Sequence, residues 1–313
     1  MTSAGLMFIA LAIDAVVGWP RPLFQLIGHP VTWLGALIDR LDHWLNIDGT
    51  EPGARKIAGL ISALLVIAVA AAVGMVLSWA LPDRLTGVLL GAVLAWPLLA
   101  ARSLYSHVAD VARPLAAGDL GGARQAIAQI VGRDPEGLDE AGLARAALES
   151  LAENASDAVI APLFWGLLLG LPGLFAYKAI NTLDSMIGHK TPRHQEFGWA
   201  SARIDDAANL LPARLTGLLF AIVSPHPRDA LETMLRDARH HRSPNGGWPE
   251  AALASALGVR LSGPRAYHGQ MSDEPWINGQ AHDPDSGDLT RGLRLYRTMV
   301  GLFAAFLAIL WLL

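Results

Sequence analysis

The chain of 313 residues carries 24 Lys and Arg against 28 Asp and Glu, a formal net charge of −4 that gives no reason to expect a nucleic-acid partner. With 52% hydrophobic residues, only 17% charged ones and a mean hydropathy of +0.35, it suits a multi-span membrane protein with polar loops better than a soluble domain. It has no cysteine, which excludes disulfides, thiolate metal sites and cysteine nucleophiles.

The first apolar run, 6–19, contains Asp14 and has no basic segment before it, so it reads as a weak membrane segment and not a cleaved signal. An unpaired acid there would cost roughly 2.5–3.5 kcal/mol, so Asp14 calls for a basic partner. In HPVTWLG, His29 precedes Pro30 and is expected to cap a helix more readily than to bind a ligand. Residues 57–80 are uncharged and form the clearest span, long enough for the roughly 20 residues a crossing needs. Only the LPDR turn separates them from a second run at 85–101, which predicts a helical hairpin.

A carboxylate-rich stretch follows, ESLAENASDAVIAP at 149–162. Glu149, Glu153 and Asp157 are spaced i, i+4, i+8 and would share one face of a helix. Such a row repels itself unless cations sit among it. It is either a Mg²⁺ or ammonium site, with Asn154 as a neutral ligand, or a solvated face before the membrane. Residues 158–177 are uncharged but interrupted by Pro162, Gly170, Pro172 and Gly173.

Sidedness sharpens the reading of that segment. Lys and Arg number four in 20–56, five in 102–156 and fourteen in 178–297, against one in the LPDR turn, so the larger loops belong in the cytoplasm. A simple span at 158–177 would put residues 153 and 184 on opposite faces. A re-entrant hairpin over 158–186, broken at LGLPG, brings them to one side and is favoured over a single kinked span.

In NTLDSMIGHK, Asn181 and Asp184 lie one turn apart. Asp184 reads as a metal ligand, or with Asn181 as a grip for an amine, and a helix N-cap is the plainer alternative. Gly188 ends that helix, and Lys190 and Arg193 follow where an anion could sit. ARIDDAANLLPARL pairs Asp205 and Asp206 with Arg203 and Arg214, either as a salt-bridge network or as a phosphate or metal clamp. A weaker candidate span covers 210–223. In HHRSPNGGWPEAA, Ser243 and Asn245 with two glycines either bare backbone N–H groups to an anion or simply form a turn, before a short amphipathic helix from about Pro249. Residues 262–290 have turn chemistry and are expected to be an ordered irregular loop, and 298–313 a last span. The expectation is an all-α polytopic protein of four to six membrane segments. It forms one integral membrane domain over 1–313, with 102–156 and 178–297 supplying the site.

The strings LAIDAVVGWP, GHPVTWLG, ESLAENASDAVIAPLFW, NTLDSMIGHK, FGWASARIDDAANLLPARL and SPNGGWPEAALASALGV occur in this order. Together they resemble the CobD/CbiB family of cobalamin biosynthesis, from about residue 4 to the C-terminus, with NTLDSM and ARIDDAANLLPARL the discriminating strings. Trp19 departs from a pattern that often has an acid before the early proline. The resemblance implies an inner-membrane enzyme with its site facing the cytoplasm. It would join adenosylcobyric acid to (R)-1-amino-2-propanol or its O-phosphate, consuming ATP to form an amide. Membrane lipid and other membrane enzymes of the pathway are the implied partners.

Given that chemistry, the sequence suggests Mg²⁺ on Glu153, Asp157 and Asp184, with Asn154 and Asn181 in support. Lys190, Arg193, Arg203 and Arg214, with Ser243 and Asn245, are the candidate phosphate and substrate contacts. Asp205 or Asp206 is the candidate for recognising or deprotonating the amine. Two other classes compete: a non-catalytic membrane sensor of the AmpE-like kind, and a transporter using Asp14 and the broken helix at 162–173.

Overall fold

The computed structural model describes residues 3–131, 135–267, 270–272 and 274–313. Its helices are α1 (Ser3–Val17), α2 (Arg21–Ile27), α3 (Pro30–Leu45), α4 (Pro52–Ala80), α5 (Leu85–Ala95), α6 (Ala101–Ala116), α7 (Leu120–Ile127), α8 (Glu140–Ala155), α9 (Ala161–Ile187), α10 (Trp199–Ala208), α11 (Leu210–Val223), α12 (Pro227–Asp237), α13 (Gly247–Leu257) and α14 (Ser286–Leu312). Four helical runs are long and apolar enough to cross a membrane, Pro52–Ala80, Leu85–Ala116, Glu140–Ile187 and Ser286–Leu312, and six if two bent pairs each count as one span. The fold is all-α and polytopic, as expected. The chain divides into two compact units, one of Met1–Ala100, Ala161–Asn209 and Phe306–Leu313, the other of Ala101–Ile160 and Leu210–Ala305.

In the first unit α4 packs along α9, α3 and α10, and α5 packs on α1. The expected pairing of the runs on either side of LPDR is therefore not the main one. Gly87, Val88, Gly91, Ala92 and Ala95 are the buried face of α5, and a Cβ on Gly91 would stand 2.6 Å from the Leu6 side chain of α1. Small residues let those two helices approach closely, which is how apolar helices gain packing energy where no water drives them together.

The breaker residues in α9 act as the sequence suggests. Gly170 takes φ 66° and ψ −152°, outside the helical region and open mainly to glycine. A Cβ on Gly173 would lie 2.4 Å from the Trp165 carbonyl oxygen, although eight residues of straight helix would separate them by about 12 Å. Ala161 and Tyr177 share one buried cluster with Ala208, against which Trp165 and Ile180 pack. Residues 165 and 173, and 161 and 177, are thus paired about position 169, and the chain doubles back there. The uncharged stretch 158–169 would rise only about 18 Å along a helix against a core of about 30 Å. The segment is a helical hairpin and not one straight rod.

The second unit gathers α6, α7 and α8, and α13 packs against α11, α12 and α8. Helix α13 differs from the expected amphipathic helix: Gly247, Pro249, Glu250, Ala251, Ala252, Leu253, Ala254 and Leu257 are all buried, so it is a core element. Between α13 and α14 the loop carries two small antiparallel ladders, β1 (Leu261–Ser262) with β4 (Trp276–Ile277) and β2 (Arg265–Tyr267) with β3 (Gln270–Ser272). The turn-rich composition of 262–290 concealed them, and residues 268, 269 and 273 of that stretch lie outside the described residues.

Candidate functional site

In the first unit, Asn181 and Asp184 lie in the last turns of α9, so the N-cap alternative does not hold. The helix ends at Gly188, as the sequence suggested. A Cβ at 188 would lie 2.0 Å from Asp184 Oδ1, so the carboxylate occupies the space that the missing side chain leaves. Asp184 is half-buried, and among the described residues no hydrogen-bond donor meets its side chain. Asp206, Arg203 and His189 all lie within electrostatic reach of it. Arg203 Nη2 stands 3.0 Å from Asp206 Oδ2. Two carboxylates from separate helices therefore share one guanidinium, a combination that an added cation or ammonium would relieve.

The two adjacent acids of α10 part company. Asp205 is buried, and its Oδ2 accepts from Asn209 Nδ2 at 3.0 Å, while Asn209 Oδ1 accepts from Tyr177 Oη at 2.9 Å. That chain ties α10 to the second leg of the hairpin. Asp206 alone faces the Asp184 group.

Lys190 is exposed in the loop after Gly188. Arg193, expected as a phosphate contact, is engaged instead: its Nε and Nη2 donate to Asp42 Oδ2 at 2.9 and 2.7 Å. Asn46 Nδ2 donates to Asp42 Oδ1 at 2.7 Å and to the Arg193 carbonyl at 3.1 Å, and Arg55 Nε donates to Asn46 Oδ1 at 2.8 Å. This network fastens the 188–198 loop to α3 and α4. Asp42 was missed from sequence because its partner lies 151 residues away.

His29 does cap α3: Nδ1 accepts from Val31 N–H at 3.2 Å, and Thr32 completes a capping box. Trp19, in place of an acid, meets the His29 ring edge-on at 5.0 Å and lies 5.5 Å from Trp96. Asp14 is buried in α1 and Lys178 in the second hairpin leg. A lysine inside an apolar segment is a signal the sequence offered and that was passed over.

In the second unit, the three acids of the 149–157 row have different surroundings. Glu149 is buried and its Oε1 accepts from Ser262 N–H at 2.8 Å, holding the φ 60° residue of β1. Glu153 is exposed, and Asp157 is half-buried in a π-helical turn, Ser156–Ile160. Asn154 Nδ2 folds back on its own helix to the Ser150 carbonyl at 3.0 Å. Among the described residues no group of three or more His, Asp or Glu gathers in a way that could hold a metal alone.

Arg214, Ser243 and Asn245 do come together. Arg214 Nη1 donates to Asn245 Oδ1 at 3.3 Å, and its guanidinium lies 4.4 Å from the Trp248 ring centroid. Of the two readings of this loop, bared N–H groups or a turn, the backbone follows the turn: the N–H groups of Asn245 and Gly246 both donate to Ser243 Oγ at 3.2 Å. Arg214 and Ser243, with Arg239, His241, Pro244 and Trp248, line a cavity of about 500 Å³. Arg239 and His241 were not singled out from sequence, since nothing local distinguishes them from other loop cations.

Residues 7–296 match the family described as CobD/Cbib protein. The chain is 58% identical to "Cobalamin biosynthesis protein CobD" of Rhodobacter capsulatus, covering 99% of each chain. It is 47% identical to the protein of that name from a Sinorhizobium species, over 96% of each, and 44% identical to that of Brucella suis, over 94% of this chain and 97% of that one. No solved structure matches it. By that family match over most of its length, the chain belongs to the CobD/CbiB family of cobalamin biosynthesis.

Proposed function

We propose that this protein forms an amide between the free propionate of adenosylcobyric acid and (R)-1-amino-2-propanol or its O-phosphate, with ATP consumed. The observation that carries this is the Asp184–Asp206 pair, a half-buried carboxylate without a donor beside a second acid that already holds Arg203. Family membership supplies the pathway; the pair supplies a place where an ammonium or a metal–phosphate group would be stabilised.

In the reaction, a propionate oxygen attacks the γ-phosphorus of ATP, ADP leaves, and an acyl phosphate forms. The amine nitrogen then attacks the acyl carbon, the C–O bond to phosphate breaks, inorganic phosphate departs, and the nitrogen gives up a proton. Asp206 or Asp184 would hold the ammonium and accept that proton. Arg203, with Lys190 from the adjoining loop, would steady phosphate oxygens by position and charge. Mg²⁺ would neutralise charge on the transferring phosphoryl group. The pair fits that ion, which takes one or two carboxylates and completes its shell with water and phosphate oxygens. Glu153 and Asp157 remain candidate ligands on sequence spacing. The excess of Lys and Arg in 102–156 and 178–297 supports an inner-membrane protein with these regions in the cytoplasm.

The test uses purified full-length protein in detergent with adenosylcobyric acid, either amine, Mg²⁺ and ATP, followed by mass spectrometry. An ATP-dependent amide adduct is expected. Folded protein that yields none with either amine would overturn the ligase reading.

A further inference from the structure

The cavity of the second unit is lined by two arginines that hold no carboxylate among the described residues. Arg236, Arg260 and Arg291 each hold a carboxylate, from Asp237, Asp283 and Asp288. Arg214 has only neutral partners, the Leu210 carbonyl, Asn245 Oδ1 and the Trp248 ring. Arg239, also in the lining and exposed, has no hydrogen bond or ion pair among the described residues. Among the described residues no carboxylate lines the cavity.

The third contributor is a hydroxyl. Ser243 Oγ accepts two backbone N–H groups, from Asn245 and Gly246, which occupies its acceptor positions and leaves its proton to donate. His241 braces this arrangement: Nδ1 accepts from Ser243 N–H at 3.1 Å, and Nε2 faces the buried Glu250 at 3.5 Å. Glu250 therefore stands behind the imidazole.

We infer that this cavity is a phosphate-binding site in which Arg214, Arg239 and the Ser243 hydroxyl grip a phosphate group. Arginine suits this task because its planar fork meets two oxygens at once. The neutral contacts of Arg214 orient the guanidinium without cancelling its charge. At about 500 Å³ the cavity is larger than a phosphate alone requires, so the ligand is an ester carrying a small organic part. A phosphorylated small molecule and an anionic lipid headgroup both present this chemistry. The inference does not depend on the ligase reading, because it concerns binding and not turnover.

Calorimetry on the full-length protein in detergent tests it without ATP or corrinoid, so that failure of catalysis and failure of the site are seen separately. The probes are inorganic phosphate and aminopropanol O-phosphate, and, for the lipid source, nanodiscs with and without phosphatidylglycerol. Saturable binding of a free phosphate, weakened tenfold or more by Arg239→Gln and by Arg214→Gln, is expected. Binding confined to phosphatidylglycerol and equally sensitive to both variants assigns the same grip to a headgroup. Arg214→Gln also removes the contact with Trp248, so Arg239→Gln, which disturbs no internal bond, decides. Unchanged affinity in Arg239→Gln, or no binding of any probe, would overturn the inference.

Discussion

Replacing Gly188 by alanine moves the carboxylate proposed to act in the reaction, that of Asp184, without changing its chemistry. The new methyl carbon would stand 2.0 Å from Asp184 Oδ1 and 2.7 Å from the Asp184 carbonyl oxygen, where 3.0 Å is the practical lower limit. The carboxylate must therefore retreat by about 1 Å, and the last turn of α9 must ease. Overpacking of this kind costs about 1–3 kcal/mol of stability, and the lower end applies because the carboxylate is the free end of a side chain. Displacement of a reacting group by 1 Å costs on the order of 10²-fold in rate. Gly188→Ala should thus stay folded, with a slightly lowered melting midpoint in detergent, and lose about a hundredfold in ATP-dependent amide formation. Asp184→Asn should abolish turnover while leaving melting nearly unchanged, because no ion pair of Asp184 is broken. Full turnover in both variants would refute the placing of Asp184 in the chemistry. Loss of folding in Gly188→Ala alone would show the glycine to be structural.

Three further substitutions probe the framework. Asp42→Ala removes the acceptor that Arg193 and Asn46 share and should cost about 1–3 kcal/mol, discounted for the exposed flank of Arg193, read as a lowered melting midpoint. Glu149→Ala orphans the Ser262 N–H, at about 1–3 kcal/mol, whereas Glu149→Gln keeps an acceptor and should melt close to the parent; equal losses in both would refute the account. Asp237 has its pKa held below the ordinary carboxyl value, first by hydrogen bonds from Arg236 and also by Asn278 N–H and the Arg236 charge, against a desolvation that pushes it up. A lowered folded-state pKa stabilises above the ordinary value of 3.8, and that stability is lost as pH falls from there through the folded value. Asp237→Asn should therefore flatten the acid limb of a melting-versus-pH curve below about pH 4.

The hairpin was legible because its cause is local. Glycine and proline at 170, 172 and 173 break the helix, and the positive-inside argument asks for both ends on one side. The cap at His29 and the stop at Gly188 were legible for the same reason. What sequence could not show depends on which chain segments meet. Asp205 and Asp206 are neighbours with equivalent local patterns, yet one is spent on Asn209 and the other faces Asp184. Arg193 looked free until Asp42, far upstream, took it. The row Glu149, Glu153, Asp157 assumes an unbroken α-helix and equal surroundings, whereas Asp157 lies in a π turn and Glu149 accepts from Ser262 N–H, 113 residues downstream. Helix α13 was misjudged because its alanines are indifferent to burial when read alone and become core only when α8, α11 and α12 surround them.

Ion pairing separates the charges that hold the fold from those left over for something else. Asp42, Asp237, Asp283 and Asp288 each clamp an arginine, so each of these charges has its counter-charge within the fold. Asp184 and the two cavity arginines depart from that pattern in opposite senses. The first unit has an acid in excess at Asp184, because Asp206 holds the nearest guanidinium. The second has base in excess at Arg214 and Arg239. Leaving like charges together costs stability wherever water cannot screen them fully. A protein that needed only to span a bilayer would gain by replacing Asp184 or Arg239 with a neutral side chain. Their presence follows if the missing counter-charge arrives with substrate, an ammonium or metal for the acid and a phosphate for the bases. Melting of Asp184→Asn and Arg239→Gln without any ligand should then be equal to or above that of the parent, while ligand-induced stabilisation is lost from the variant whose charge the ligand meets.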